Sequence, residues 1–96
     1  MLEIEQITKI AVEALEDIKG DDIQVIDTTN LSALFSKMIV CTGSSNRQVK
    51  ALAGSVIRSF KDNNIDIIGS EGEASGEWVL VDSGDIVVHI MLPQVR

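Results

Sequence analysis

Residues 76–93, GEWVLVDSGDIVVHIMLP, constrain the fold more than any other stretch of this chain. Two apolar runs rich in Val and Ile flank Asp82-Ser83-Gly84-Asp85. β-Formers on both sides of a short Gly-containing turn predict a β-hairpin. With a two-residue loop at Ser83-Gly84, Trp78 lies opposite His89, Leu80 opposite Val87, and Val81 opposite Ile86. Strand side chains alternate between faces. One face then carries only aliphatic side chains: Val79, Val81, Ile86, Val88 and Ile90. The other carries Trp78, Leu80, Val87, His89 and Met91, with the chain's only Trp and only His among them. The first face suits the floor of a core under helices. The second is either covered by more of the chain, as in a central strand, or kept for a partner, since Trp and Met are enriched at interface cores.

The rest of the chain supplies the helices. Ile4, Ile7, Ala11, Ala14, Leu15 and Ile18 recur at three- and four-residue steps and predict a helix over 2–19. Glu3 and Glu5 suit its N-terminal end and Lys19 the other, with Gly20 as the residue that ends it. A strand is predicted over Ile23–Asp27, a polar connection over Thr28–Ser32, and a second, central strand over about Lys37–Thr42. A second helix follows and runs to about Asn63, with Val49, Leu52, Ala53, Val56, Ile57 and Phe60 as its buried stripe. Ile65–Ile68 is predicted as a third strand and 69–76 as a loop containing Glu71 and Glu73. Pro93 ends the hairpin, because proline cannot donate to a ladder. The order is α-β-β-α-β-β-β. The expected fold class is α/β: one domain over 1–96, a five-stranded mixed sheet with both helices on one face. The opposite face then has no helix from this chain.

Composition narrows the function classes. The 96 residues are 45% hydrophobic but only 3% aromatic, which suits a single aliphatic core. No apolar run is long enough to span a membrane, and no signal-like leader precedes the first helix, so a cytoplasmic protein is expected. Cys41 excludes an internal disulfide and reads as a small buried hydrophobe. A formal net charge of −7 mismatches the phosphate backbone, so nucleic acid is not expected as the main partner. A basic protein partner suits it better. Four of the eight basic residues, Arg47, Lys50, Arg58 and Lys61, sit on the second helix. They read as a solvated face, or as a local contact with an anion or RNA.

Candidate chemistry is thin. Gly43-Ser44-Ser45-Asn46 joins a strand to a helix, where free N–H groups can hold a phosphate. Ser45 with Gln48 also matches a capping box. No P-loop glycines or Lys-Ser/Thr pair are present. Asp82 and Asp85 flank a turn and are explained by turn hydrogen bonds; as a metal pair they are a weak signal. His89 lies within a strand and reads as structural. A nucleotidyltransferase would need paired strand aspartates soon after Gly43-Ser44, but the next acids are Asp62 and Asp66. No enzyme activity, cofactor or metal is expected.

Four stretches together carry a family resemblance: ALEDIKGDDIQVID, MIVCTGSSNRQVKALA, the Glu71-Gly72 pair, and GEWVLVDSGDIVVHIMLPQVR. In the spacing of Trp78, Asp82, Gly84, Asp85 and His89, with Thr42-Gly43 and Arg47 upstream, the chain resembles the ribosomal silencing factor family, RsfS, also called Iojap-like. The resemblance implies a nucleotidyltransferase-like fold without the transferase's catalytic residues. It implies binding to the large ribosomal subunit through large-subunit ribosomal protein number fourteen, a basic protein, on the face that joins the small subunit. Joining is then blocked and translation falls, notably when nutrients are scarce. Ribosomal RNA is at most a peripheral partner on this reading. The chain departs from the family pattern in having Gln48 where His is frequent and Ser36 where Asp is frequent. The aromatic-rich short helix that usually follows Pro-x-Val-Arg is absent from the sequence, which ends at Arg96. The expected partner-binding residues are Trp78 as the central anchor, Leu80, Met91 and Pro93 around it, and Glu71 and Glu73 for basic groups of the partner. A homodimer through the Trp78 face and a vestigial nucleotide-binding module at 43–46 are the alternatives.

Overall fold

The computed structural model describes residues 2–31 and 33–96; Ser32, placed in the polar connection by the sequence reading, lies outside the described residues, as does Met1. The elements are α1 (Ile4–Asp17), β1 (Asp21–Asp27), β2 (Lys37–Thr42), α2 (Asn46–Asp62), β3 (Gly69–Glu71), β4 (Trp78–Asp82) and β5 (Ile86–Met91). The five strands form one sheet in the order β1-β2-β5-β4-β3. Only the β2–β5 pair is parallel; the others are antiparallel. The α/β class, the mixed sheet and the element order agree with the sequence reading.

Both helices bury one stripe against one sheet face. Ala11, Ala14 and Leu15 of α1 and Val49, Leu52, Val56 and Phe60 of α2 meet Ile39, Cys41, Val79, Val81, Ile86, Val88 and Ile90 in one cluster. Across the helix pair, the Ser55 hydroxyl donates to the Ala14 carbonyl at 2.9 Å. This satisfies a buried polar group that would otherwise carry a desolvation cost.

The helix ends share one device. At α1, Lys19 N–H reaches Glu16 O and Gly20 N–H reaches Leu15 O, with Lys19 in the left-handed region at φ +60. At α2, Asn64 N–H reaches Lys61 O and Ile65 N–H reaches Phe60 O, with Asn64 at φ +58. Both are Schellman endings. The left-handed residue of the first is therefore Lys19, not Gly20 as predicted. Gly20 is demanded by space instead: a β-carbon there would stand 2.5 Å from the Cys41 thiol sulfur.

Two expectations fail in detail. The hairpin pairs Trp78 with Met91, Val79 with Ile90, Leu80 with His89, Val81 with Val88 and Asp82 with Val87, two residues away from the predicted register. The Asp85 carbonyl accepts from Ser36 and Lys37 N–H at 2.7 and 3.2 Å, so Asp85 joins the β2 side rather than pairing with Asp82. Asp82 instead accepts from Gly84 N–H at 2.8 Å and closes a wider turn, with Gly84 at φ +97. Because the slip is even, every side chain keeps its predicted face. The third strand is the other failure. Ile65–Ile68 forms no strand; Ile65 and Ile67 pack on the core, and pairing with β4 begins only at Gly69. The Schellman ending directs the chain along the core's edge before it reaches β4, so alternating burial arises there without a ladder.

Candidate functional site

The site is the sheet face turned away from the helices. Register puts Trp78 and Leu80 of β4, His89 and Met91 of β5, Val40 of β2 and Glu71 of β3 on that face. Trp78 is 52% exposed and Met91, directly opposite it, only 8%. A half-exposed indole on a nearly buried thioether neighbour is an apolar group held up rather than packed away. Leu34 is 85% and Ile68 71% exposed.

Two shallow clefts score this face. One, of about 330 Å³, is lined by Glu71, Gly72, Trp78, Leu80 and His89. The other, of about 480 Å³, is lined by Leu34, Phe35, Ile68, Leu80, Asp82, Gly84, Val87 and His89. Leu80 and His89 line both. The His89 and Trp78 rings lie 5.8 Å apart between centroids, tilted by 45°. Trp78 Nε1–H donates to His89 Nδ1 at 3.1 Å. Burial holds the His89 pKa below its usual value, because a charged imidazole would lose solvation there.

The predicted partner-binding residues divide. Trp78, Leu80 and Glu71 line the first cleft together. Met91 shares their face but is buried, so it supports the face from within rather than offering surface. Pro93 is exposed just past β5. Glu73 is exposed, but its carboxylate accepts from the Ser70 hydroxyl, and Ser70 pairs with Val81 on the helix-facing side. Leu34, Phe35 and Ile68 belong to the face and were not singled out from the sequence. Leu34 and Phe35 come from a connection with no periodicity. Ile68 carried a signal, the last apolar residue of an alternating run, but the strand assignment absorbed it.

The turn at 43–46 is occupied by the chain itself. Gly43 N–H donates to Met91 O at 2.9 Å, and a β-carbon at Gly43 would stand 2.7 Å from a Val49 methyl. Ser45 Oγ accepts from Gln48 N–H at 3.1 Å, which is half of the predicted capping box. The other half is redirected: Gln48 Oε1 accepts from Ser44 N–H and Oγ–H at 2.6 and 2.7 Å. Gln48 Nε2 donates to the Ile18 and Lys19 carbonyls, both at 3.2 Å. The helix start therefore serves helix capping and helix–helix attachment. Among the described residues no group of His, Cys, Asp and Glu is placed to hold a metal ion, and no helix is long and apolar enough to cross a membrane.

The comparisons with known proteins converge. Residues 2–96 match the family described as ribosomal silencing factor during starvation, RsfS. The chain is 64% identical to ribosomal silencing factor RsfS of Chromobacterium violaceum, over 99% of this chain and 78% of that protein. It is 34% identical to the chloroplastic protein Iojap of Zea mays, over 88% of this chain and 36% of that protein. A crystal structure of a C. violaceum protein, 64% identical, superposes with a TM-score of 0.98 over 99% of this chain and 79% of that one.

Proposed function

Since this chain belongs to the ribosomal silencing factor family, RsfS, we propose that its helix-free sheet face docks on the large ribosomal subunit and sterically keeps the small subunit away. The protein that receives it is large-subunit ribosomal protein number fourteen, as the family resemblance implies. No catalysis is required: occupancy of the joining surface lowers translation when nutrients are scarce, in the cytoplasm. Ribosomal RNA is a peripheral contact at most.

The observation that carries this reading is the exposed Trp78 lining one apolar cleft, with a second cleft beside it, on a face that no helix covers. Trp residues in such positions dominate many interfaces. A net charge of −7 complements a basic protein and would speed encounter. The same face suits self-association, which would compete with docking.

Co-sedimentation with purified large subunits, with small subunits as control, tests the reading together with a subunit-joining assay. Selective binding that lowers joining is the expected result. Trp78→Ala, folded, should lose roughly 2–4 kcal/mol of binding. Binding equal to wild type in that variant would remove Trp78 from the interface.

A further inference from the structure

His89 is the one group that lines both clefts and also carries two ring nitrogens with different tasks. Its Nδ1 accepts from the Trp78 indole. An imidazole that accepts at Nδ1 must be neutral with its hydrogen on Nε2. The donor on Trp78 therefore fixes the tautomer. It leaves an N–H at Nε2 on an otherwise apolar floor. No hydrogen-bond partner within the chain takes that N–H among the described residues.

We propose that His89 is the specificity-determining residue of this face: Nδ1 positions the Trp78 indole, and Nε2–H is donated to a main-chain carbonyl of the partner segment that fills the two clefts. This rests on the docking reading above. A carbonyl suits the geometry because the clefts on either side accept apolar side chains, so a partner that fills both carries its backbone across His89. A Lys or Arg head group does not suit it, since both are donors only.

Proton binding at Nδ1 ends the arrangement. An imidazolium has no acceptor, so the indole N–H is left without its partner and Trp78 is released. The elements packed around His89 present Leu80 and Asp82 from β4, Met38, Val40 and Thr42 from β2, Glu71 from β3, and Leu34 and Phe35 from the connection after β1. Only Glu71 and Asp82 are charged, and both would favour the proton. Burial outweighs them, since the shift of His89 is downward.

Two variants separate the roles. His89→Gln keeps an amide oxygen to accept and an amide N–H to donate. His89→Phe keeps a ring and loses both. Binding to purified large subunits is measured at pH 7.5 and at steps down to about pH 5, below the ordinary histidine value of about 6.5, and the fluorescence of the single Trp is followed over the same range. At pH 7.5 the Phe variant should bind about tenfold more weakly and the Gln variant within about threefold of wild type, the scale of one or two lost hydrogen bonds. Wild type should weaken on acidification and show a fluorescence transition; the Gln variant should do neither. Equal binding by the Phe variant overturns the proposal. A fluorescence transition that persists in the Gln variant overturns the part of the proposal in which Nδ1 positions Trp78. Wild type that fails to bind large subunits while keeping its transition overturns the docking reading, and with it the carbonyl contact, but leaves the positioning of Trp78 standing.

Discussion

The backbone of Gly72 passes against the carbonyl of Trp78 so closely that a β-carbon on Gly72 would collide with that oxygen. Gly72 also holds φ +88, a left-handed conformation that side chains resist. The Glu71-Gly72 pair is thus a spacing device: it lets the end of β3 lie beside the anchor strand and brings Glu71 into the first cleft. Gly72→Ala should cost about 2 kcal/mol or more, from strain plus the clash. Urea unfolding followed by Trp fluorescence checks this. A midpoint unchanged from wild type would show that the strand edge relaxes freely.

Gln48 ties the start of α2 to the end of α1. Its amide spans Ser44 on one side and the Ile18 and Lys19 carbonyls on the other. Gln48→Ala leaves those carbonyls to water and loosens the 43–46 turn. The expected loss is about 1 kcal/mol of stability, typical of a lost side-chain-to-backbone link at a helix end. Large-subunit binding at saturating protein should be unchanged, because Gln48 is on the helix side of the sheet. A binding defect without a stability defect would place this end of the molecule in the interface.

What the sequence made legible followed from periodicity. The helix stripes and the two-faced hairpin depend on side chains at regular spacing, so both helices, the sheet and the division of faces could be read. The hairpin register could not, because it depends on where the Asp85 carbonyl bonds, a contact with Ser36 and Lys37 about fifty residues upstream. β3 failed for a similar reason: Gly69–Glu71 has no apolar signature and becomes a strand only because β4 lies beside it. In the candidate site, Trp78, Leu80 and Glu71 were legible from the hairpin and the family motifs. Leu34 and Phe35 were not, because a connection without periodicity gives no sign of where it folds back.

Cys41 is fully buried, and burial pushes its thiol up to about 11. The thiolate, which is the reactive form, is therefore scarce at pH 8. A disulfide reagent should label the native protein only through opening events, with rates that rise with urea. In full denaturant labelling should be immediate. Fast labelling of the native protein at pH 8 would show that the core between α1 and β2 opens locally. The sign for stability follows from the raised value: the contribution is present below the unfolded thiol pKa near 9.0 and is lost as pH rises through about 11.

His89 gives the opposite sign. Its folded pKa is lowered by burial, so the folded state prefers the neutral ring. The stability tied to it is present above the ordinary histidine value of about 6.5 and is lost as pH falls through the lower folded value. The urea midpoint of wild type should therefore drop on acidification through that window more steeply than that of His89→Gln. Parallel pH profiles for the two proteins would show that His89 does not titrate differently in the folded state.

The two glutamates beside the anchor strand should behave differently, although the sequence treats them alike. Glu71 pairs with Leu80 and lines the cleft under Trp78. Glu73 is held by the Ser70 hydroxyl, whose strand position faces the helices. A basic partner seated on the Trp78 face meets Glu71 and not Glu73. Glu71→Gln should weaken large-subunit binding by about 1 kcal/mol at low salt, with the difference shrinking as salt rises and screens the pair. Glu73→Gln should leave binding unchanged at every salt concentration. The reverse order of effects would mean that the partner approaches the β3 edge from the helix side, and that the clefts around His89 are not where it docks.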